Sequence, residues 1–387
     1  MWMKPLRIFF LLCCFAFPVS ALFAQDEGRV LLDKTTTVKA EVFAVLKDEA
    51  KVVPGTDVVS HYQTLTVKVL EGKDIGLVVT VSDDYAHLAV GDVFYLNETI
   101  RGEDNLQIYS VGEPYRLPAL GFFAGLFVLL VFLVGGMQGI RGLISLAGSF
   151  VLILYALLPA IFAGFSPVLV SIIVSSVIII LGSYVTHGFN KTTSSAVLGM
   201  ITTVILTGGL AFAAVHFAKL TGFESENAVY LNLNSRGHID IIGILLSGFM
   251  IGLLGVLYDV AIGQAISVEE LHRIAPHVER KKIYLRALRI GREHIGALVN
   301  TLAIAYVGAS LPLLLLFRQS PSALPLIINK EIFATEIIRT LIGSSGLVLA
   351  VPITTLLAVF LLVKVRKALD VSVVVAEREA LEHFHHH

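Results

Sequence analysis

Two cysteines are all this chain has, and both, Cys13 and Cys14, lie in its first 25 residues. A mature chain starting near Gln25 would hold no thiol, which excludes a disulfide framework, a thiolate metal site and a cysteine nucleophile. Charge is scarce too. Charged residues make up 15% of the sequence, against about a quarter in a soluble globular domain. With 56% hydrophobic residues and a mean hydropathy of +0.81, the chain is too apolar to be soluble. Neither sign of charge dominates, since 29 Lys and Arg face 30 Asp and Glu. The lack of a basic surplus excludes a dedicated nucleic-acid binder. The sequence has no HExxH and no P-loop, so zincin chemistry and ATP-driven transport by this chain alone have no support. GSSG at Gly343–Gly346 matches the GxSG of intramembrane serine proteases, but no membrane-embedded histidine follows it to act as base. The sequence therefore offers no catalytic residue, no metal site and no cofactor motif.

Its N-terminus, in contrast, is informative. Lys4 and Arg7 stand before an apolar core and small residues up to Ala24, the layout of a secretory signal or uncleaved anchor over residues 1–24. Either form carries the next segment across the membrane. Residues 25–116 alone have soluble composition, and they alternate at period two in TVKAEVFAVL, QTLTVKVLEG, GLVVTVSDD, DVFYLNETI and LQIYSV. Five short strands separated by Gly, Asp and Pro predict a small, all-β, OB-like extracytoplasmic domain. No aromatics are interleaved with basic residues there as in a nucleic-acid groove, so a cap or a docking module for an envelope protein is expected.

From Leu117 the chain holds seven apolar runs long enough for a hydrocarbon core about 30 Å thick, near residues 117–134, 142–163, 167–185, 195–217, 239–262, 296–317 and 340–363. The fold class predicted is an α-helical polytopic membrane bundle of about seven transmembrane helices, with the β domain ahead of it. Arg141, Lys191 and the segment 264–292, with Arg273, Arg280, Lys281, Lys282, Arg286, Arg289 and Arg292, then fall on the cytoplasmic side, as do Lys364, Arg366 and Lys367. This is the positive-inside bias, and it places the chain in a bacterial cytoplasmic membrane with its β domain outside. The membrane domain is taken as 117–365 and the cytoplasmic tail as 366–387. Segment 264–292 is expected to form amphipathic helix broken near Pro276, lying on the inner leaflet. The closing His385–His387 carries no assigned chemistry.

Intramembrane acids are functional by default, and the fifth run holds Asp259. At 100° per residue Gly252, Gly255, Asp259, Gly263 and Glu270 lie within about 80° on one helix face. Small residues let helix backbones approach in lipid, so Gly252, Gly255, Gly263, Gly296 and Gly346 are expected at helix contacts. Asn300 lies at a comparable depth on the next, antiparallel run, sharing a face with Glu293, while Thr301 and His294 share another. Asp259 with Asn300, Glu270, Glu293 and Thr301 is what a proton or cation relay needs, because hydrogen bonds and neighbouring charge tune a carboxyl. The same set also suits interhelical packing, and both readings stay open.

GLLGVLYDVAIGQAISVEEL, GREHIGALVNTLAIAYVGASLP and ATEIIRTLIGSSGLVLAVPIT, with YRLPALGFFAGLFVLLVFLVGGMQGIRGLISL, resemble the signature blocks of the YibE/F-like family of bacterial membrane proteins. The resemblance implies the architecture and carries no biochemical activity. A weaker likeness, an aspartate in a Gly-rich span followed by a Gly-led span with Asn-Thr, links the chain by analogy to SecD/SecF-type proton-driven exporters. The function expected is a permease-like or export-related protein with a proton- or cation-binding site in the membrane. The alternative is a non-transport envelope scaffold whose β domain docks a partner. The bilayer is its one certain partner, and oligomeric state is not legible.

Overall fold

The computed structural model describes residues 34–363 apart from 53–54, 56–58, 85 and 102–105. The signal segment 1–24, Cys13, Cys14 and the tail 366–387 lie outside the described residues. The chain divides into two compact units at Gly135/Gly136.

The first unit is built on a five-stranded antiparallel sheet: β1 (Lys34–Val52), β2 (Val59–Val69), β3 (Val78–Asp83), β4 (Val93–Ile100) and β5 (Gln107–Pro114), in the order β3-β2-β1-β4-β5. The period-two segments of the sequence all fall on these strands. β1 is long enough to pair with β4 over its first half and with β2 over its second, and register shifts between Val42 and Ala44 and between Val45 and Lys47 let it curl. β3 and β5 also lie in contact, so the sheet closes into a half-barrel. Alternation on β2 turns Leu65, Val67 and Val69 inward, where they meet Ala40, Val42, Val81, Leu88, Phe94 and Leu96.

Helix α1 (Leu117–Leu152) straddles the unit boundary and breaks at Gly136, whose φ of 53° and ψ of −141° are non-helical. Only glycine takes that backbone at little cost. A π-helical turn, Ile153–Leu157, and the short α2 (Leu158–Phe162) continue it. The second unit then has α3 (Pro167–His187), α4 (Lys191–Phe217), α5 (Glu226–Asn234), α6 (Ile241–Ile274), α7 (Arg280–Ala309), α8 (Leu311–Gln319), α9 (Leu324–Ile328) and α10 (Glu331–Leu362). Helix starts follow local chemistry. Asn190 accepts from Thr193 N at 2.7 Å before α4, Asp240 accepts from Gly243 N at 2.9 Å before α6, and a proline opens α3.

Helices α3, α4, α6, α7 and α10 share one core, with α10 packed against α4, α6 and α7. Its contacts fix direction. Gly199 meets Thr354 and Gly346 meets Thr207, so α4 and α10 are antiparallel; Leu253 meets Gly346 and Gln264 meets Thr355, so α6 and α10 are parallel. Pro167 touches Gly243 and Gly182 touches Tyr258, so α3 and α6 are parallel as well. Each helix alternates in direction with its predecessor in this set, as successive crossings must.

Among the described residues five helices are long and apolar enough to cross a membrane, or six if α7 and α8, bent by 64° at their junction, count as one. The first two apolar runs share a single 46-residue helical stretch, Leu117–Phe162. Segment 264–292 breaks at Pro276 between α6 and α7, but its two arms are continuations of those helices. Gln264, Ala265, Val268, Ile283 and Ala287 are buried in the bundle. Of Ile283, Leu285, Leu288 and Ile290, the apolar side chains expected to meet the leaflet, only Leu285 and Ile290 are turned out. Helical continuity kept the arms in register with the core.

Candidate functional site

The α6 face that packs is set by Leu253, Leu257, Val260, Ala261 and Gln264, all buried. Asp259 lies roughly 140–160° away around the helix from Leu257 and Gln264, on the exposed back of α6 with Gly252, Gly255 and Gly263. Of the stripe expected at helix contacts, Gly252 does stand in one, against Tyr306 of α7, while Gly255 and Gly263 meet no neighbouring side chain. A methyl group at Gly255, Gly263 or Gly296 would meet nothing within 4 Å, whereas at Gly252 it would come 3.0 Å from Tyr306 Oη. Gly346 does sit in a contact, where a methyl would lie 2.7 Å from Leu253 Cδ2 and 2.9 Å from Thr207 Oγ1.

The remaining members of the expected relay are dispersed. Two contacts, Gly252 with Tyr306 and Gln264 with Gly291, set the antiparallel register of α6 and α7, and it brings Asp259 and Asn300 to one depth within about a turn. Their faces do not meet. α7 reaches α6 with Tyr306, and Asn300 lies about 120° around from it, exposed, as is Glu293. Thr301 Oγ1 donates to its own helix at Ala297 O, 2.9 Å. Glu270 pairs with Arg273 one turn on. No hydrogen bond or ion pair joins Asp259 to any of the four, and Asp259 has no such partner among the described residues.

At Tyr258, the residue before Asp259, the bundle opens. A cavity of about 360 Å³ lies between the second half of α1, α3 and α6; its wall is mainly apolar, its few polar groups come from Ser145, Ser149, Thr186 and Tyr258, and Gly182 and Gly255 leave it room. Tyr258 Oη donates to Gly182 O at 3.3 Å, with Thr186 and Ser183 alongside. His187 presents its ring 5.9 Å from that of Tyr258. Asp259 follows Tyr258 directly in the chain and stands at the same end of the bundle.

Two polar centres escaped the sequence reading. Gln264 is buried where α6, α7 and α10 meet, 2.9 Å from Thr355 Oγ1, whose hydroxyl also reaches Val351 O at 2.6 Å. One hydroxyl has one proton; when Thr355 gives it to Val351, the Gln264 amide must turn its NH₂ toward Thr355. Gly291 makes the space, for a methyl there would lie 2.5 Å from Gln264 Nε2 and from Val351 Cγ1. A glutamine in an apolar run was the available signal. At the other end, Arg339 binds Glu336 on its own helix and lies 3.8 Å from Glu224 in the α4–α5 loop, its guanidinium over Phe249. Glu331 ties the same loop to α10 by accepting from Thr221 N at 2.6 Å and Gly222 N at 2.7 Å. No sequence pattern links Glu224 to Arg339, 115 positions on. The GSSG motif is a packing device, as Gly343 admits Leu302 and Gly346 admits Leu253.

Among the described residues no group of three His, Cys, Asp or Glu side chains is placed to hold a metal ion. Neither a curated protein nor a solved structure matches the chain. One family model does, described as YibE/F-like protein, and it spans residues 123–364, from α1 to the end of the bundle. That is more than half of the chain, and this multi-pass membrane protein belongs to the YibE/F-like family.

Proposed function

We propose that the protein is a permease-like carrier of a bacterial cytoplasmic membrane that takes up a proton or a cation at Asp259. The single observation that carries this reading is an ionisable side chain in a membrane-crossing helix with no hydrogen-bond or ion-pair partner among the described residues, next in the chain to Tyr258, which lines a mainly apolar cavity together with the hydroxyls of Ser145, Ser149 and Thr186. An unpaired carboxylate in hydrocarbon costs several kcal/mol, so its retention calls for a use. Asn300, Glu270, Glu293 and Thr301 enter the proposal only as groups that a rotation of α7 would bring closer. The 46-residue stretch Leu117–Phe162 spans about 69 Å at 1.5 Å per residue, enough for two passes broken at Gly136, which gives seven spans with the bent α7–α8 pair counted as one. The strand order and the β3–β5 contact support an OB-like reading of the outer domain.

The test is proton and divalent-cation flux in vesicles reconstituted with the full chain. Wild type is expected to carry one of them and Asp259→Asn to lose it with the fold intact; equal flux in both refutes an ion site at Asp259. A second reading, an envelope scaffold, draws on the apolar side chains the β domain turns out, among them Phe43, Leu46, Ile75 and Val90, each more than 60% exposed. A chain with no flux in either form, whose envelope phenotype is lost on Phe43→Glu, would favour it.

A further inference from the structure

A hydroxyl that serves only to make a helix side small normally bonds back to the carbonyl four residues earlier. The membrane unit does this repeatedly: Ser149 to Ser145 O at 2.9 Å, Ser176 to Ile172 O at 2.7 Å, Ser247 to Gly243 O at 2.7 Å and Ser267 to Gly263 O at 2.8 Å. Three serines of α3 do not. Ser171, Ser175 and Ser183 are 0%, 1% and 0% exposed; among the described residues the hydroxyls of Ser171 and Ser175 have no hydrogen-bond partner, and that of Ser183 faces only Tyr258 Oη. Thr207 and Thr354 are also unpartnered, but they are pressed against glycines of the facing helix, with a methyl at Gly199 falling 2.9 Å from Thr354 Cα. That interface has no room for water. The α3 serines lie on the side of the helix that packs on α4 and α6. A buried hydroxyl without a partner is costly, and an ordered water is the usual remedy.

Their spacing has a gap. Ser171 and Ser175 are one turn apart, while the next position of the row, four residues on, is Ile179, 2% exposed, which belongs to the apolar core of the bundle and, with Ile178, Ile251 and Leu254, forms the apolar end of the cavity away from Thr186. The row resumes at Ser183, beside Tyr258 and the cavity. Since α3 and α6 run parallel, with Pro167 at Gly243 and Gly182 at Tyr258, Ser183 is level with Asp259.

We propose that α3 lines two water-filled half-paths through the bundle, one entering at the Pro167 end along Ser171 and Ser175, the other at the His187 end along Thr186, Tyr258 and Ser183, separated by the apolar plug at Ile179. Water is the ligand of both, and the proton is what hydrogen-bonded water would relay between them when the plug opens. The inference deepens the carrier reading and rests on it for the identity of the cargo, although the hydration stands by itself.

The test uses the full chain with Cys13→Ser and Cys14→Ser, reconstituted in vesicles of both orientations, carrying Ser171→Cys, Ser175→Cys, Ser183→Cys or Ile179→Cys. Cysteine is the nearest isostere of serine, and only a hydrated thiol ionises and reacts. With membrane-impermeant methanethiosulfonate ethylsulfonate, positions 171 and 175 are expected to label from the Pro167 side and position 183 from the opposite side. Position 179 should be about tenfold slower from both, as a thiol in apolar surroundings is inert. Labelling of all three serine positions as slow as at 179, or all from one side, overturns the half-paths. Ile179→Ser, which joins them, should raise the passive proton leak of the vesicles, and an unchanged leak overturns the plug. Loss of flux in Asp259→Asn without labelling would leave the carrier and remove the paths. Labelling without any flux in wild type would do the reverse.

Discussion

Gly199 and Gly255 are both helical glycines in apolar spans, yet they have opposite surroundings. A methyl at 199 would press on the α10 backbone at Thr354, while at 255 it would meet nothing within 4 Å. Gly199→Ala should therefore cost about 1–3 kcal/mol through overpacking against backbone that cannot yield. Gly255→Ala should be neutral or gain up to about 1 kcal/mol of helix propensity. Thermal unfolding of the two variants in one detergent separates them, and equal losses would show that something covers the back of α6. The sequence could not make this distinction. Gly252, Gly255 and Gly263 form a regular stripe, but both sides of α6 are apolar, so periodicity does not reveal which side faces protein. The stripe carrying Asp259 was the conspicuous one. The contacts instead use leucine, valine and Gln264 from α6, and the close approach to it is supplied by Gly291 and Gly346 on its neighbours. In the β domain a different residue sets a pH response. The Gln63 amide, which donates to Asp48 Oδ2 at 3.1 Å, and then His61 hold the Asp48 carboxyl below its ordinary 3.8. A carboxyl depressed in the folded state stabilises above its unfolded value, and that stability is lost as pH falls through the folded value. The protection factors of the β2 amides in the full chain should therefore fall as pH drops below about 3.8. Asp48→Asn should flatten that acid limb; an unchanged limb would assign it to other carboxylates.

At the scale of elements the strands were the most legible part, because the half-barrel buries one side and leaves the other wet, and the period-two pattern of LTVKV follows directly. Helix ends were less legible where partners come from far along the chain. Arg280, the first residue of α7, donates from Nε to Val363 O at 2.9 Å and lies 5.8 Å over the ring of Phe360, closing the last turn of α10. A cation at a helix C-terminus meets unsatisfied carbonyls and the negative end of the dipole. Arg280→Ala should free that turn at a cost of about 1–2 kcal/mol, seen as loss of hydrogen-exchange protection over residues 359–363. Arg280→Lys should recover only part of it, as a lysine lacks the planar Nε donor. Protection unchanged in Arg280→Ala would mean that packing on α4 and α6 alone holds the end of α10.

For the whole molecule, direction and charge together constrain how often the chain crosses the membrane. α3, α6 and α10 run one way, and α4 and α7 the other. The ends where α3 and α6 finish and α4 and α7 begin carry Lys191, Arg273, Arg280, Lys281, Lys282 and Arg286, and the proposed carrier has that end in the cytoplasm by the positive-inside rule. Pro167, where α3 starts, is then at the outer surface. On the same proposal the β domain, exported by a signal segment, is also outside, and two points on one side are separated by an even number of crossings. The stretch between them, Leu117–Phe162, holds one 46-residue helical segment broken at Gly136. One pass violates the parity, and two passes satisfy it with the break at Gly136 turned to the cytoplasm beside Arg141. The expectation is that Gln138→Cys, in the chain with Cys13→Ser and Cys14→Ser, reacts with an impermeant maleimide only in inside-out vesicles, while protease outside intact spheroplasts removes residues 25–116. Labelling of position 138 from outside, or protection of the β domain, would leave a single long pass and put the β domain on the cytoplasmic side with the basic ends of α6 and α7.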